Sequence, residues 1–468
     1  MEHKMDLFSK ETYRERRSKV MKSVSGGILL FLGNEESSSN FKDNWYPFRQ
    51  DSSFLYFFGL DLPGLAAVMD LDADQVILFG DELTTEELVW HGEKPKLVDL
   101  AHLVGLQEVR PSKEIASYLA KSSQRRIHFL PPFRPENTMK LRHWLGLSTE
   151  ALEDRVSVEF IKAVAKLRSI KSEEEIREIT KAVNHTVQIH RKVMQHARAG
   201  MYEYELLGMV YGEALSGRGH LSFPPIITTD GQTLHNHRYT NRLEPGKMLL
   251  GDFGTETAMH YAGDITRTIP IGKKFTEAQR EVYEIVWQAH RSAIASLKPG
   301  LRFLEVHLLA CKKIAQGLKT IGLMQGDVEE AVQQGAHALF FPCGVGHLMG
   351  LDVHDMEDLG EAYVGYTDAL QKSTQFGLKS LRFGKELEAG QVLTVEPGIY
   401  FIPQLIDSWK AQNMHRDFIN YDKLERFRDF GGIRIEDDFL ITSKGSELMG
   451  MPLESSPDEV ESLRGNAE

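Results

Sequence analysis

Cysteine is almost missing from this chain: Cys311 and Cys343 are the two in 468 residues. That excludes a disulfide framework and points to a reducing compartment. An excess of positive charge is missing too, the formal net charge being -12. This speaks against a nucleic-acid surface or an anionic-membrane binder. No run approaches the ~18 apolar residues of a membrane helix. The opening stretch MEHKMDLFSKETYRERR carries charge throughout and lacks the apolar core of a signal peptide. A cytoplasmic protein without membrane or nucleic-acid partners is the expectation. Internal repeats and low-complexity stretches are also wanting.

What is there is an ordinary globular composition, 41% hydrophobic and 26% charged, in a chain too long for one compact core. Gly27–Gly33, Ala66–Met69 and Val76–Phe79 are short apolar runs bounded by turn residues, and read as strands. A helix follows near Lys113–Leu119, and the alternation suggests an α/β domain. The Pro131–Pro135 stretch breaks regular structure, and the spacing places a boundary near residue 160, giving domains 1–160 and 161–468. In the second, Ser172 and Glu175 form a capping box ahead of Ile176, Ile179 and Val183 at helical spacing. Thr276 and Gln279 begin another helix, with Gly300 placed to end it. Strands are expected at Lys247–Phe253, Gly263–Pro270, Gln391–Val395 and Gly432–Thr442. The polar tail Leu453–Glu468 reads as frayed.

Aspartate is depleted in strands, yet Asp252 and Asp264 are each flanked by strand-like residues. A lone pair of such acids is read as salt bridges or strand-end caps. Glu396 at the end of an apolar strand, Glu436 inside another, and His347 in the glycine-rich Phe341–His347 stretch change that reading. Four acids and one histidine in apolar settings need a common partner, because an unpaired buried charge is costly. Two divalent cations would balance four carboxylates. Oxygen ligands with one imidazole suit manganese, with cobalt, iron or zinc as alternatives. Two ions about 3.5–4 Å apart sharing a water are the arrangement of aminopeptidases.

The motifs Asp252-Phe-Gly254, Ala262-Gly-Asp-Ile-Thr-Arg267, Gly346-His-Leu-Met-Gly-Leu-Asp-Val-His-Asp355, Thr394-Val-Glu-Pro-Gly-Ile-Tyr400 and Gly432-Ile-Arg-Ile-Glu-Asp437 resemble the pita-bread metallopeptidases. Within them they resemble the aminopeptidase P and prolidase branch. Tyr46-Pro-Phe-Arg-Gln-Asp-Ser-Ser-Phe-Leu-Tyr-Phe-Phe-Gly59 is similar to that branch's N-terminal domain, so the resemblance spans nearly the whole chain. It implies an N-terminal creatinase-like α/β domain before a C-terminal pita-bread catalytic domain, in a homodimer or homotetramer. It implies that Asp252, Asp264, His347, Glu396 and Glu436 bind the metals and that Glu396 transfers the proton. His354 matches a histidine that contacts substrate and would hydrogen-bond the scissile carbonyl. His235 matches a second, with His237 as its alternative. Arg434 matches an arginine beside the metals, a structural salt bridge being the other reading.

Trp90 resembles a tryptophan that reaches a neighbouring subunit's site; an ordinary core or surface tryptophan is the alternative. Cys311 and Cys343 read as small buried residues. Gly377–Gly384 and the insert Phe401–Phe430 resemble prolidase, which nominates Arg382 as a clamp for a substrate carboxylate; pairing with an acid of the insert is the alternative. The implied activity is removal of the residue preceding proline from peptides, dipeptides included. Obligate Xaa-Pro dipeptidase is the rival, and a non-catalytic binding module is remote because all five ligands are present.

Overall fold

A computed structural model describes residues 6–465. The chain separates into two compact units. One runs to Arg168 and takes in Met356–Val364; the other comprises Ser169–Asp355 and Gly365 onward. Among the described residues no helix is long and apolar enough to cross a membrane.

The first unit is built on a mixed five-stranded sheet in the order Glu108–Arg110, Gln75–Phe79, Ala66–Asp70, Ile28–Leu32, Ile127–Phe129. Ile28–Leu32 is antiparallel to Ala66–Asp70 and parallel to Ile127–Phe129. It is apolar at every position because both its faces are covered. Ile28 and Leu30 join Val68, Ile77, Phe79, Leu119 and Phe129 on one face. Phe31 points the other way, against Phe57, Phe58 and Phe160. Helix Ser52–Phe58 ends at Gly59, whose φ is 67°, and a Cβ there would lie 2.4 Å from the Tyr13 ring. Only glycine fits.

In the second unit the capping boxes form as expected. Ser172 N–H donates to Glu175 (2.9 Å) ahead of helix Glu173–His196, and Thr276 N–H to Gln279 (2.9 Å) ahead of Glu277–Ser296. That second helix stops at Ser296 with Leu297 as its cap. Gly300, at φ 82°, therefore serves the following turn and not the helix end. Helix Phe303–Thr320 packs against Glu277–Ser296. The strands form four groups, the smallest pairing His220–Leu221 with Thr255–Glu256. Ile265–Pro270, Met248–Phe253 and Ile226–Thr228 make one sheet; Val392–Val395, Asp437–Ile441 and Ser446–Leu448 another; Gly398–Tyr400 pairs with Gly432–Arg434.

Two further expectations need correction. The strand Gly432–Thr442 is broken at Ile435 and Glu436. Its partner carries Pro397, which has no N–H to give the ladder. The register nonetheless continues across the gap, Val395 pairing with Asp437 and Gly398 with Arg434. The tail is not frayed: Pro457–Gly465 is a helix with Val460 and Arg464 buried. Arg464 donates to the carbonyls of Met194, Ala197 and Gly272. It thereby satisfies the end of helix Glu173–His196, whose last carbonyls have no internal partner. Residues 466–468 of that tail lie outside the described residues.

In the first unit the turn after Ala66–Asp70 is held by charge. Arg125 donates to both carboxylate oxygens of Asp70 and to Gly27 O; Asp72 and Ala73 N–H also donate to Asp70. The Arg125 guanidinium holds the Asp70 carboxyl well below the usual range. An unfolded Asp titrates near ~3.9. The stabilisation is therefore full above that value and is lost as pH falls through the lower folded value. Denaturant unfolding of the wild type and Asp70→Asn should show a stability gap that narrows as pH drops below about 4. A gap independent of pH would contradict this.

Candidate metal centre

The interrupted ladder sets the site. Across the break Glu396 and Glu436 stand opposite each other. Glu436 N–H turns to Thr266 O (3.1 Å) instead, and Thr266 is in turn the ladder partner of Asp252. Residues paired across strands point to the same face, so Asp252, Glu436 and Glu396 fall in one row. Asp264 lies two residues from Thr266 and shares that face. His347 joins from a loop tied to the same strand: its N–H donates to Thr394 Oγ1 (3.1 Å) and its carbonyl accepts from Thr394 N–H (3.0 Å).

The histidine tautomer follows from its partners. Nδ1 lies 3.1 Å from the Leu348 carbonyl, which can only accept, so Nδ1 carries the proton. Nε2 is then a lone pair, 3.5 Å from both Asp264 Oδ2 and Glu396 Oε1. This is the outer hydrogen bond typical of metal-ligating histidines. Burial, together with the neighbouring acids, pushes Asp264 and Glu436 well above the usual carboxylate range and Glu396 to about 7. Asp264 Oδ1 is buried and has no hydrogen-bond partner among the described residues. Three carboxylates strained in this way, one orphaned oxygen and one imidazole lone pair are what a pair of divalent cations would relieve. The donor set fits such a group.

A cavity of about 250 Å³ opens onto the row, with Phe223, Ile226, Leu234 and Val353 as apolar wall. His235, His237, His354 and Arg434 line it as well. The rings of His347 and His354 meet edge to face at 4.3 Å. Burial and the nearby Arg434 lower His235 from the ordinary histidine value, so its imidazole is neutral at pH 7. His237 is turned toward Pro225 O and Tyr239 Oη, each at 3.4 Å. Arg434 takes the salt-bridge role: it donates to Asp252 Oδ2, to Thr266 Oγ1 (3.2 Å) and to Tyr400 Oη (2.8 Å). Arg382 is not in the cavity wall, although its positive charge is felt at His347. Trp90 is 77% exposed, on a helix with no buried residue. Cys311 is fully buried, and Cys343 forms part of the cavity wall.

Several supporting groups escaped the sequence reading. Thr266 Oγ1 donates to Glu436 Oε2 (2.6 Å) while accepting from Arg434, linking two of the acids. Asp438, buried and pushed well above its ordinary value by burial, accepts from Asp264 N–H at 3.1 Å. Lys171 donates to Asp355 Oδ2 (2.7 Å), both side chains being 1% exposed, and so anchors the residue after His354. The one available signal was three acids in a row, Glu436–Asp438, inside an apolar strand.

Comparison with known proteins gives two family models. The description "Metallopeptidase family M24" matches residues 177–443, and "Aminopeptidase P, N-terminal domain" matches residues 13–129. The chain is 32% identical over 448 residues to a human Xaa-Pro dipeptidase, covering 93% of this chain and 88% of that protein. It is also 32% identical over 447 residues to a probable Xaa-Pro aminopeptidase of Sordaria macrospora, covering 94% and 91%. The solved proline aminopeptidase P II of Yersinia pestis superposes with a TM-score of 0.80 at 26% identity, over 98% of this chain and all of that one.

Metal ligands bind as anions, so raised acids must lose protons when cations enter. Calorimetric titration of the metal-free protein with Mn²⁺ should show heats that depend on buffer ionisation enthalpy at pH 7. Affinity should rise between pH 6 and 8. Buffer-independent heats and a flat profile would contradict the raised carboxylates.

Proposed function

The chain belongs to metallopeptidase family M24, and on that premise we propose that it is an Xaa-Pro aminopeptidase releasing the residue before proline, dipeptides included. The observation that carries the reading is the row of Asp252, Asp264, Glu396 and Glu436 with His347 on the floor of an apolar-walled cavity. Those five would hold two divalent ions, manganese first, which when bound supply Lewis acidity and a water acidic enough to react near neutral pH. Glu396 takes the proton from the attacking water and passes it to the proline nitrogen. The carbon–nitrogen bond breaks, leaving a free amino acid and a peptide that begins with proline. His354 and His235 donate N–H to the carbonyl oxygen as charge develops on it. Arg434 keeps Asp252 in place. The bond before proline is a tertiary amide with no N–H, and the apolar wall asks for none.

Two cysteines in 468 residues fit a cytoplasmic enzyme. The exposed Trp90 suits a homodimer or homotetramer in which it meets a neighbouring subunit. An obligate Xaa-Pro dipeptidase is the second reading, favoured by the charge of Arg382 acting near His347. A cation there would bind the free carboxylate that ends a dipeptide.

Rates on Ala-Pro and Ala-Pro-Ala with Mn²⁺ separate the two readings. We expect both to be cleaved. Arg382→Ala should cost Ala-Pro about tenfold, or about 1.4 kcal/mol, and leave Ala-Pro-Ala nearly unchanged. Equal losses would remove the clamp, and cleavage of Ala-Pro alone would favour the dipeptidase. Asp264→Ala should lose metal and activity together. Full activity in metal-free protein would end the proposal.

A further inference from the structure

A second cluster of metal-type donors lies in the same unit, upstream of His347. His307 and Cys311 are one turn apart on helix Phe303–Thr320, with His307 Nε2 at 3.4 Å from Cys311 Sγ. His337, on the 3-10 turn Ala336–Leu339, faces them. One donor atom from each of the three lies within 4.8 Å of the others, and all three side chains are buried. Nδ1 of His307 has no hydrogen-bond partner among the described residues, and neither nitrogen of His337 has an aligned one, the Val332 backbone lying beside its ring.

Buried polar groups are paired as a rule, and each exception asks for a reason. The cluster is no part of the carboxylate row, and the proposed reaction uses none of it. Its donors are also of a different kind. The row offers oxygen and one imidazole; here there are one sulfur and two imidazoles. That set selects soft cations with a filled d shell over manganese.

We propose that His307, Cys311 and His337 form a third, structural metal site for zinc(II) or copper(I), separate from the catalytic pair. Burial holds His307 at about 3 and His337 at about 4, so both imidazoles keep their lone pairs across the working range. The Cys311 thiol gives up its proton as the metal binds. The site is enclosed, so it fills as the protein folds. Its consequence is local. His337 is tied to the helix, and the chain from His337 runs through Cys343 in the cavity wall to His347. A cation there pins the segment that delivers His347 to the carboxylate row.

Cobalt-loaded protein tests this, because only a thiolate ligand gives a sulfur-to-cobalt charge-transfer band in the near ultraviolet. The band is expected in wild type, in Asp264→Ala and in Cys343→Ser. It is expected to be lost in Cys311→Ser and weakened in His337→Asn, with two cobalt ions still bound at the carboxylate row. Elemental analysis of protein from cells grown with zinc or copper names the cation, one per chain beyond the catalytic pair. Loss of that ion should lower the melting temperature with little change in KM. Absence of the band in wild type overturns the proposal even where a variant fails to fold. So does a band that survives Cys311→Ser or vanishes with Cys343→Ser.

Discussion

Four carboxylates aligned on one face are the constraint around which the second unit is arranged. Glu396 and Glu436 stand opposite each other where the ladder fails at Pro397. Like charges directly opposed across strands are destabilising, and burial makes the opposition worse. The fold answers with Arg434 on Asp252, Thr266 on Glu436 and a backbone N–H of Asp264 on Asp438. One guanidinium and one hydroxyl cannot neutralise such a row. The residual charge stays as raised titration of Asp264, Glu396 and Glu436. The same surplus that weakens the empty protein is the source of its affinity for divalent cations, since binding free energy is drawn from the repulsion it relieves.

That tension explains why local rules give way here. An uninterrupted strand Gly432–Thr442 would have kept Ile435 and Glu436 in the ladder with full backbone pairing. Pro397 forfeits that pairing. In exchange Glu436 N–H bonds Thr266 O, which draws the Glu436 strand toward the hairpin carrying Asp252 and Asp264. Two separate sheets are thus joined by a backbone hydrogen bond at a metal-ligand candidate. Violations of local preference concentrated at a functional site are what a consistent fold leaves behind. Arg464 is a contrast. It breaks no rule and only closes a helix end.

The five candidate ligands were legible because acids in apolar strands are anomalous one by one and stood in a recognisable order of motifs. The sheet of the first unit was legible for a similar reason: Gly27–Gly33 is apolar without alternation, as a strand covered on both faces must be. What escaped was whatever depends on a distant partner. Thr266 looks like any strand threonine until Arg434 and Glu436 are beside it. The tail looked frayed because nothing in its polar sequence reveals that Arg464 meets the carbonyls of Met194 and Ala197. The triad of His307, Cys311 and His337 has no compact spacing motif; two members share a helix face and the third comes from a later turn. The difference between His235 and His237 is likewise a matter of direction, since a two-residue separation leaves both on one loop.

Substrate length is decided away from the acids. A cavity of about 250 Å³ is below the ~300–1,000 Å³ of typical small-molecule pockets. It can take the groups on either side of one peptide bond and little more. Whatever extends beyond the proline must lie outside the floor, where the acids have no influence. The insert Phe401–Phe430 is not a loose loop that could fold over such an extension. Phe401 stacks on Phe427 and meets Phe430 edge to face, and Arg428 grips both oxygens of Asp407. A rigid insert does not adapt to chain length. A fixed cation in the role proposed for Arg382 would act in the same all-or-none way, favouring a carboxylate at one distance from the scissile bond. On the proposed reading, proline selection and length selection are therefore separable, the first belonging to the walls of the cavity and the second to its surroundings.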